Sequence, residues 1–289
     1  MGKIDNRGTN VKWGRIMNFT EKPRYGFDDL KEIVRILRAP GGCPWDREQT
    51  HKSIRMNFIE ETYEAVEAID TEDTDLLREE LGDVLLQVAL HSEMESEAKR
   101  FDINDVVDEL CKKLIIRHPH VFGDKSANNA DDALSNWDAV KRKTKSQQTD
   151  TQAMQSVSKA LPSLMRSEKI QRKAGKAGFD FESVEGAFSK LREECTELEV
   201  AIKHGSEQNR YEEIGDVLFS VVNVARFLKI DSEHALYDSC EKFIGRFELL
   251  EALAAERGID TRTASITQLD SLWDEVKIIY KEKLEDNQT

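Results

Sequence analysis

The segment "NFIEETYEAVEAI" at residues 57–69 carries Glu60, Glu61 and Glu64, and "REELGDVLLQ" at 78–87 adds Glu80 and Asp83. On helices, spacings of three and four residues gather side chains on one face. Carboxylates that share a partly dry site cannot all ionise unless a counter-charge neutralises them, and a divalent cation is the usual one. The second half repeats the arrangement in "LREECTELEVAI" and "YEEIGDVLFS", where Glu193, Glu194, Glu197, Glu213 and Asp216 each stand 133 positions after their counterparts. Asp and Glu number 56 of 289 residues, so a single E-E-x-x-E means little, whereas five matches at one offset inside matching apolar frames do. The chain reads as two copies of one unit.

Three chemistries compete for these acids. Ile59, Tyr63, Val66 and Ile69 lie opposite Glu60, Glu61 and Glu64 on the helical wheel, so a plain solvated face is one of them. Against it, "DVLLQVALH" and "DVLFSVVNVARF" are apolar around most of their circumference, which predicts helices buried among others, with Glu80, Asp83, Glu213 and Asp216 facing protein. An oxygen-only ligand set without His or Cys at ligand spacing suits Mg²⁺ or Mn²⁺ and disfavours zinc. A di-iron bundle is the third reading, but it needs Glu-x-x-His, and Asp83 and Asp216 stand where that His would be.

Magnesium held by acids keeps open positions that substrate phosphates fill. Groups to hold such a substrate also recur between the copies. Lys113 and Arg117 match Lys242 and Arg246, and Trp137 and Lys141 match Trp273 and Lys277, each pair one helical turn apart. A Trp beside a Lys offers a stacking face for a base and a cation for a phosphate; the alternative is that both Trp are core residues. His118 and His120 in "RHPHVFG", and "GGCPWD" with Cys43, have weaker echoes in the second copy, where Gly178-Phe179-Asp180 replaces Pro44-Trp45-Asp46. Structural turns are the leading reading for both, with a nucleotide contact from Trp45 or Phe179 as the other. Cys43 has no basic partner in sequence that would make it a nucleophile.

The elements that must position these residues are helices. "FDDLKEIVRILRA" stops at Pro40-Gly41-Gly42, and helical periodicity continues over 50–70, 74–98, 104–117 and 131–143. A polar stretch at 144–157 reads as a linker, followed by helices over 158–174, 183–203, 208–229, 232–257 and 267–284. Residues 1–25 are polar and aperiodic, a flexible extension before a first domain at 26–143 and a second at 158–289. The fold class is all-α: two tandem helical bundles. The net charge of −14 opposes a broad basic surface for nucleic acid, though not a small anion held through metal ions. Four scattered cysteines suggest neither a zinc knuckle nor a disulfide framework, and neither a signal-peptide core nor a membrane-length apolar run is present. A cytoplasmic, soluble protein is expected.

With "GGCPWDREQT", E-E-x-x-E followed by E-x-x-D, "RHPHVFG" and the repeated W-D-x-V-K, residues 28–289 resemble the MazG family of nucleoside triphosphate pyrophosphohydrolases in tandem two-domain form. The resemblance implies an all-α bundle whose paired helices present the carboxylates to Mg²⁺, assembled as a homodimer. It implies cleavage of a nucleoside triphosphate between the α and β phosphates. The family's metal-ligand motif falls on Glu193, Glu194, Glu197, Glu213 and Asp216 and their first-half partners. Its nucleotide contacts fall on Lys242, Arg246, Trp273 and Lys277. The family tends to carry a Lys four residues before the E-x-x-D glutamate; Asn209 stands there, with Arg210 beside it. A non-catalytic nucleotide-binding or regulatory bundle is the alternative. The second copy is expected to carry most turnover, because Lys169, Arg172 and Lys173 precede its acidic helix where Pro40 and Pro44 interrupt the first copy; Arg47 and Lys52 near the first site weaken the contrast.

Overall fold

The computed structural model describes residues 19–130, 132, 133, 136, 137, 140, 141 and 149–286. Most of the expected extension at 1–25 and residues 144–148 of the expected linker therefore lie outside the described residues. Among those described there are twelve helices and no strands, which is the all-α class read from the sequence. The chain divides into two compact units, residues 1–141 and 142–289.

In the first unit the helices are α1 (Phe27–Arg38), α2 (Pro44–Glu48), α3 (Arg55–Asp70), α4 (Thr74–Glu97), α5 (Ile103–Arg117) and α6 (Pro119–Phe122). Helix α1 opens where the Asp29 carboxylate accepts from the Gly26 N–H at 2.9 Å. It closes at Gly42, where a Cβ would sit 2.2 Å from the Ile36 carbonyl, so no other residue fits that return of the chain. Helices α3 and α4 form an antiparallel hairpin, and Asp73 caps α4 by accepting from the Asp75 and Leu76 amides at 3.0 Å each. Val34, Ile54, Ala89, Leu90, Met94 and Ile103 make the core that holds α1, α4 and α5 together.

The second unit contains α7 (Asp150–Gln155), α8 (Ser163–Lys176), α9 (Val184–His204), α10 (Glu207–Leu228), α11 (Ser232–Glu256) and α12 (Ile266–Asp286). Helices α9 and α10 form the equivalent hairpin. Its turn is a capping box: Ser206 Oγ accepts from the Asn209 N–H at 3.2 Å, and Asn209 Oδ1 accepts from the Ser206 N–H at 3.1 Å. Asn209, the departure from the family pattern, is thus spent on starting α10. Leu250, Ala254, Leu272 and Val276 form the α11–α12 core.

The differences from the sequence reading have physical causes. Residues 51–54 are turns, so α3 starts at Arg55 and not at residue 50; α8 starts at Ser163 because Pro162 fixes the chain just before it. Short α2 and α6 begin at prolines, and α7 lies in the stretch read as linker, with Ala153 and Val157 buried. A helix of one or two turns carries too little periodicity to be seen in sequence. The helix expected at 131–143 is helical wherever it is described. Finally, α4 and α10 are not enclosed as expected: Leu81, Leu85, Leu218 and Val221 are exposed.

Candidate functional site

Each hairpin brings acids from its two helices together. In the second copy Glu194 of α9 meets Glu213 and Asp216 of α10; in the first, Glu61 and Glu64 of α3 meet Glu80 of α4. In each group one oxygen per residue lies within 4.8 Å of the others. Glu194 and Glu80 are only 6% and 9% exposed. Burial raises Glu213 above the ordinary glutamate range, and the charges of Glu197, Asp216, Glu194 and Glu212 push the same way. Burial likewise raises Glu80 and Glu61; Glu64 and Asp83 add to both, while a hydrogen bond from Gln87 partly opposes the rise at Glu61. Glu197 and Asp83 therefore act on the clusters by charge. Glu60 and Glu193 stand outside them and are exposed.

The donor set is all oxygen, which fits a hard divalent cation. Glu213 Oε2 is buried without a hydrogen-bond partner, a position that a carboxylate tolerates only with a cation or a proton beside it. Lys190 of α9 supplies part of the counter-charge, pairing with Glu193 and Glu194 at 2.7 Å each. Those pairings raise the lysine above its ordinary range. The sequence reading missed Lys190; its signal is a basic residue one turn before Glu194 that has no counterpart before Glu61, where Asn57 stands.

A cavity of about 620 Å³ opens beside the second cluster, reaching Lys190, Glu194 and Asp216. Its apolar wall includes Ile170, Phe179, Phe181 and Phe219. That size and mixture suit a small organic ligand with a charged end. Arg226 lines it as well, donating to Asp180 Oδ2 at 3.0 Å and Oδ1 at 2.5 Å and to Asn223 Oδ1 at 2.7 Å. The pair holds Asp180 below the ordinary aspartate range. Gly175 makes this possible, since a Cβ there would meet Asp180 Oδ2 at 2.5 Å. Gln171 Nε2 donates to the Phe219 carbonyl at 2.8 Å and ties α8 to α10. At the positions matching Asn223 and Arg226 the first copy has Leu90 and Glu93.

The basic and aromatic residues sit elsewhere. Trp273 packs half-buried on the α11–α12 core, its ring 5.3 Å from Phe243. The Arg246 guanidinium lies over Tyr280 at 5.4 Å, Lys277 pairs with Asp274 at 2.9 Å, and Lys242 is exposed. In the first unit Arg117 lies over Trp137 at 5.2 Å, the His118 ring meets the same indole at 4.9 Å, Lys113 is exposed and Lys141 is half-buried. None of Lys242, Arg246, Trp273 and Lys277 lines the 620 Å³ cavity, whereas Phe179 does. Lys169 is exposed, and Arg172 is engaged by Glu168 at 2.6 Å.

Comparison with known proteins bears on the same two hairpins. The MazG nucleotide pyrophosphohydrolase domain matches the chain twice, at residues 49–122 and 176–249. A Thermotoga maritima protein named nucleoside triphosphate pyrophosphohydrolase/pyrophosphatase MazG is 40% identical over 87% of this chain and 95% of its own length. The Escherichia coli K12 nucleoside triphosphate pyrophosphohydrolase is 39% identical over 86% of this chain and 96% of its own. Bacillus subtilis YabN is 44% identical over 87% of this chain and 51% of its own. Each match falls on the segments that carry the acidic hairpins, and with two such domains and near full-length relatives the chain belongs to the MazG family.

Proposed function

We propose that this protein hydrolyses nucleoside triphosphates to nucleoside monophosphate and pyrophosphate, using Mg²⁺ with Mn²⁺ as a substitute, and that the second copy carries most of the turnover. The observation that carries the reading is the Glu194–Glu213–Asp216 cluster with its partnerless Glu213 oxygen, opening onto a cavity that also presents Lys190.

When bound, a divalent cation would polarise the triphosphate and offset its charge. Glu194, Glu213 and Asp216 would hold that ion. Lys190, released from its carboxylate partners, faces the phosphate end of the cavity and stabilises negative charge on the departing pyrophosphate. Glu197, exposed beside the cluster, orients the attacking water and takes its proton. The apolar wall of Phe179, Phe181 and Phe219 accommodates the nucleoside and keeps bulk water from the far side of the bond.

The assembly we infer is a homodimer. Ile214, Leu218 and Val221 on α10 and Leu81 and Leu85 on α4 are exposed in a single chain although these helices read as enclosed ones. In such a dimer Lys242, Arg246, Trp273 and Lys277 would act from beyond the cavity of their own chain. Four free cysteines agree with a cytoplasmic location. No helix among the described residues is long and apolar enough to cross a membrane. Phosphorus-31 NMR on a mixture of nucleoside triphosphates with Mg²⁺ tests the reaction: monophosphate and pyrophosphate are expected and should vanish with EDTA, whereas diphosphate with orthophosphate would reassign the bond cleaved.

A further inference from the structure

The 620 Å³ cavity of the second unit is lined by an amide whose orientation is fixed. Arg226 donates to Asn223 Oδ1 twice, from Nε at 2.9 Å and from Nη2 at 2.7 Å. A guanidinium has only donors, so the amide atom facing it must be the oxygen, and both lone pairs of that oxygen are then used. Arg226 is itself clasped by Asp180 through Nη1 and Nη2, which keeps the amide from flipping. The nitrogen end is left outward. Among the described residues Nδ2 meets no acceptor, and it is not one of the buried partnerless atoms, so it stands accessible on a residue that lines the cavity. At this point the wall offers an N–H donor and no acceptor.

Helix α10 sets how far this donor stands from the acid cluster. Asp216, Ser220 and Asn223 follow at i, i+4 and i+7 on one face, and all three line the cavity. Seven residues of helix span about 10 Å, which is the length of a nucleoside from its 5′ phosphate to the far edge of its base. With the reacting phosphates at the acids, the base therefore reaches Asn223. Nucleobases divide at that edge into those with a carbonyl oxygen, such as uracil, and those with an amino group, such as cytosine. A pinned donor pairs with the first and leaves the second unpaired against it. We propose that Asn223, held by Arg226, is a specificity-determining residue of the second copy, selecting nucleoside triphosphates whose base turns a carbonyl oxygen towards it over those that turn an amino group. The inference rests on the nucleoside triphosphate reading above and narrows its substrate class. The first copy has Leu90 and Glu93 at these positions, so the selection belongs to the second copy alone.

UTP and CTP differ only at this group and the adjoining ring nitrogen, and pyrophosphate release from each by the full-length chain with Mg²⁺ tests the proposal. Wild type should favour UTP at least about fivefold in kcat/KM, the worth of one net hydrogen bond. Asn223→Asp keeps one oxygen for Arg226 and turns a second oxygen outward, so the order should reverse. Arg226→Ala unpins the amide, which can then turn either end to the base, and the ratio should fall towards one. Calorimetric affinities for the products UMP and CMP should follow the same order in each chain. An amide that merely braces Arg226 predicts one ratio for wild type and Asn223→Asp, since a carboxylate pairs with a guanidinium at least as well. A wild-type ratio near one or in favour of CTP, an Asn223→Asp chain that keeps the wild-type order, or product affinities in the opposite order would each overturn the proposal. Equal release from both nucleotides would leave the underlying reading intact, whereas no release from either would remove that reading and this inference with it. Should Asn223→Asp not fold by circular dichroism, the Arg226→Ala chain decides, and a ratio unchanged from wild type there overturns the proposal.

Discussion

The hairpins α3–α4 and α9–α10 carry the same five acids at one offset and are surrounded by different chemistry. Around the first stand Asn57, Gln87, Leu90 and Glu93; around the second, Lys190, Ser220, Asn223 and Arg226. Four neighbours changed, and with them the sign of the local charge, while the five acids stayed, with Glu64 joining the first cluster and Asp216 the second. In the proposed reading a metal-binding scaffold is therefore separable from a substrate site: the first is fixed by helix spacing, the second by what lines the approach.

The largest test of this contrast removes the acids themselves. Asp216→Ala or Glu213→Ala should lower kcat by about 10²–10³, the scale of losing preorganised charge at the reacting centre, while Asp83→Ala leaves turnover close to wild type. Steady-state pyrophosphate release measures both, with circular dichroism as the folding control. Equal losses from the two hairpins would erase the division of labour.

Lys190→Ala comes next. Removing a charge-assisted contact worth about 1.5–3 kcal/mol should reduce kcat/KM roughly ten- to a hundredfold, and Asn57→Ala should do nothing measurable. A Lys190→Ala enzyme with unchanged kcat/KM would move the phosphate contact to another residue.

A smaller effect is expected from Arg226→Ala, which frees Asp180 and loosens the cavity wall. Since partly exposed ion pairs contribute up to about 1 kcal/mol, KM should rise no more than about fivefold with kcat nearly constant. Glu93→Ala in the first unit should leave KM alone.

The mildest effect concerns pH. Glu61, Glu80 and Glu213 have folded pKa values raised above 4.5, so the folded chain binds the extra protons and these groups add stability as pH falls from neutral towards 4.5. Glu95 behaves oppositely: a hydrogen bond from Arg100, then one with His51, lower it to about 2. Its contribution is complete above 4.5 and is lost as pH falls from 4.5 towards 2. In EDTA the melting temperature should therefore rise on mild acidification and then drop; with Mn²⁺ the rise should flatten. A melting temperature that falls steadily from pH 7 in EDTA would show that the clusters are not electrostatically strained.

Much of this was legible because repetition separates signal from composition. The offset between Glu60 and Glu193 and their followers exposed both hairpins, and helical spacing placed every long helix within a few residues. Within the E-E-x-x-E doublet, adjacent residues on a helix point about 100° apart, and Glu61 and Glu194 are the members that join the clusters. Lys190 was hidden because a lysine near glutamates is ordinary surface chemistry until Glu194 is known to be buried. The exposed faces of α4 and α10 could not be foreseen either, since an apolar helix reads the same whether its cover comes from its own chain or from another.

The clasp between Asp180 and Arg226 has a mechanical consequence for the strap between α8 and α9. Asp180 is fastened to α10, and Phe181 lies against α9, its ring 3.4 Å from where a Cβ on Gly186 would be. Immediately upstream Gly178 takes φ 88° and Phe179 stands 85% exposed at the mouth of the cavity. Upstream, the Gly178 and Phe179 N–H groups donate to the Gly175 and Ala174 carbonyls at 2.9 and 3.0 Å, so the strap is fastened at both ends. The exposed ring between these anchors is held at the aperture by a fixed backbone, so admission of a ligand need not unfasten the wall that will hold it.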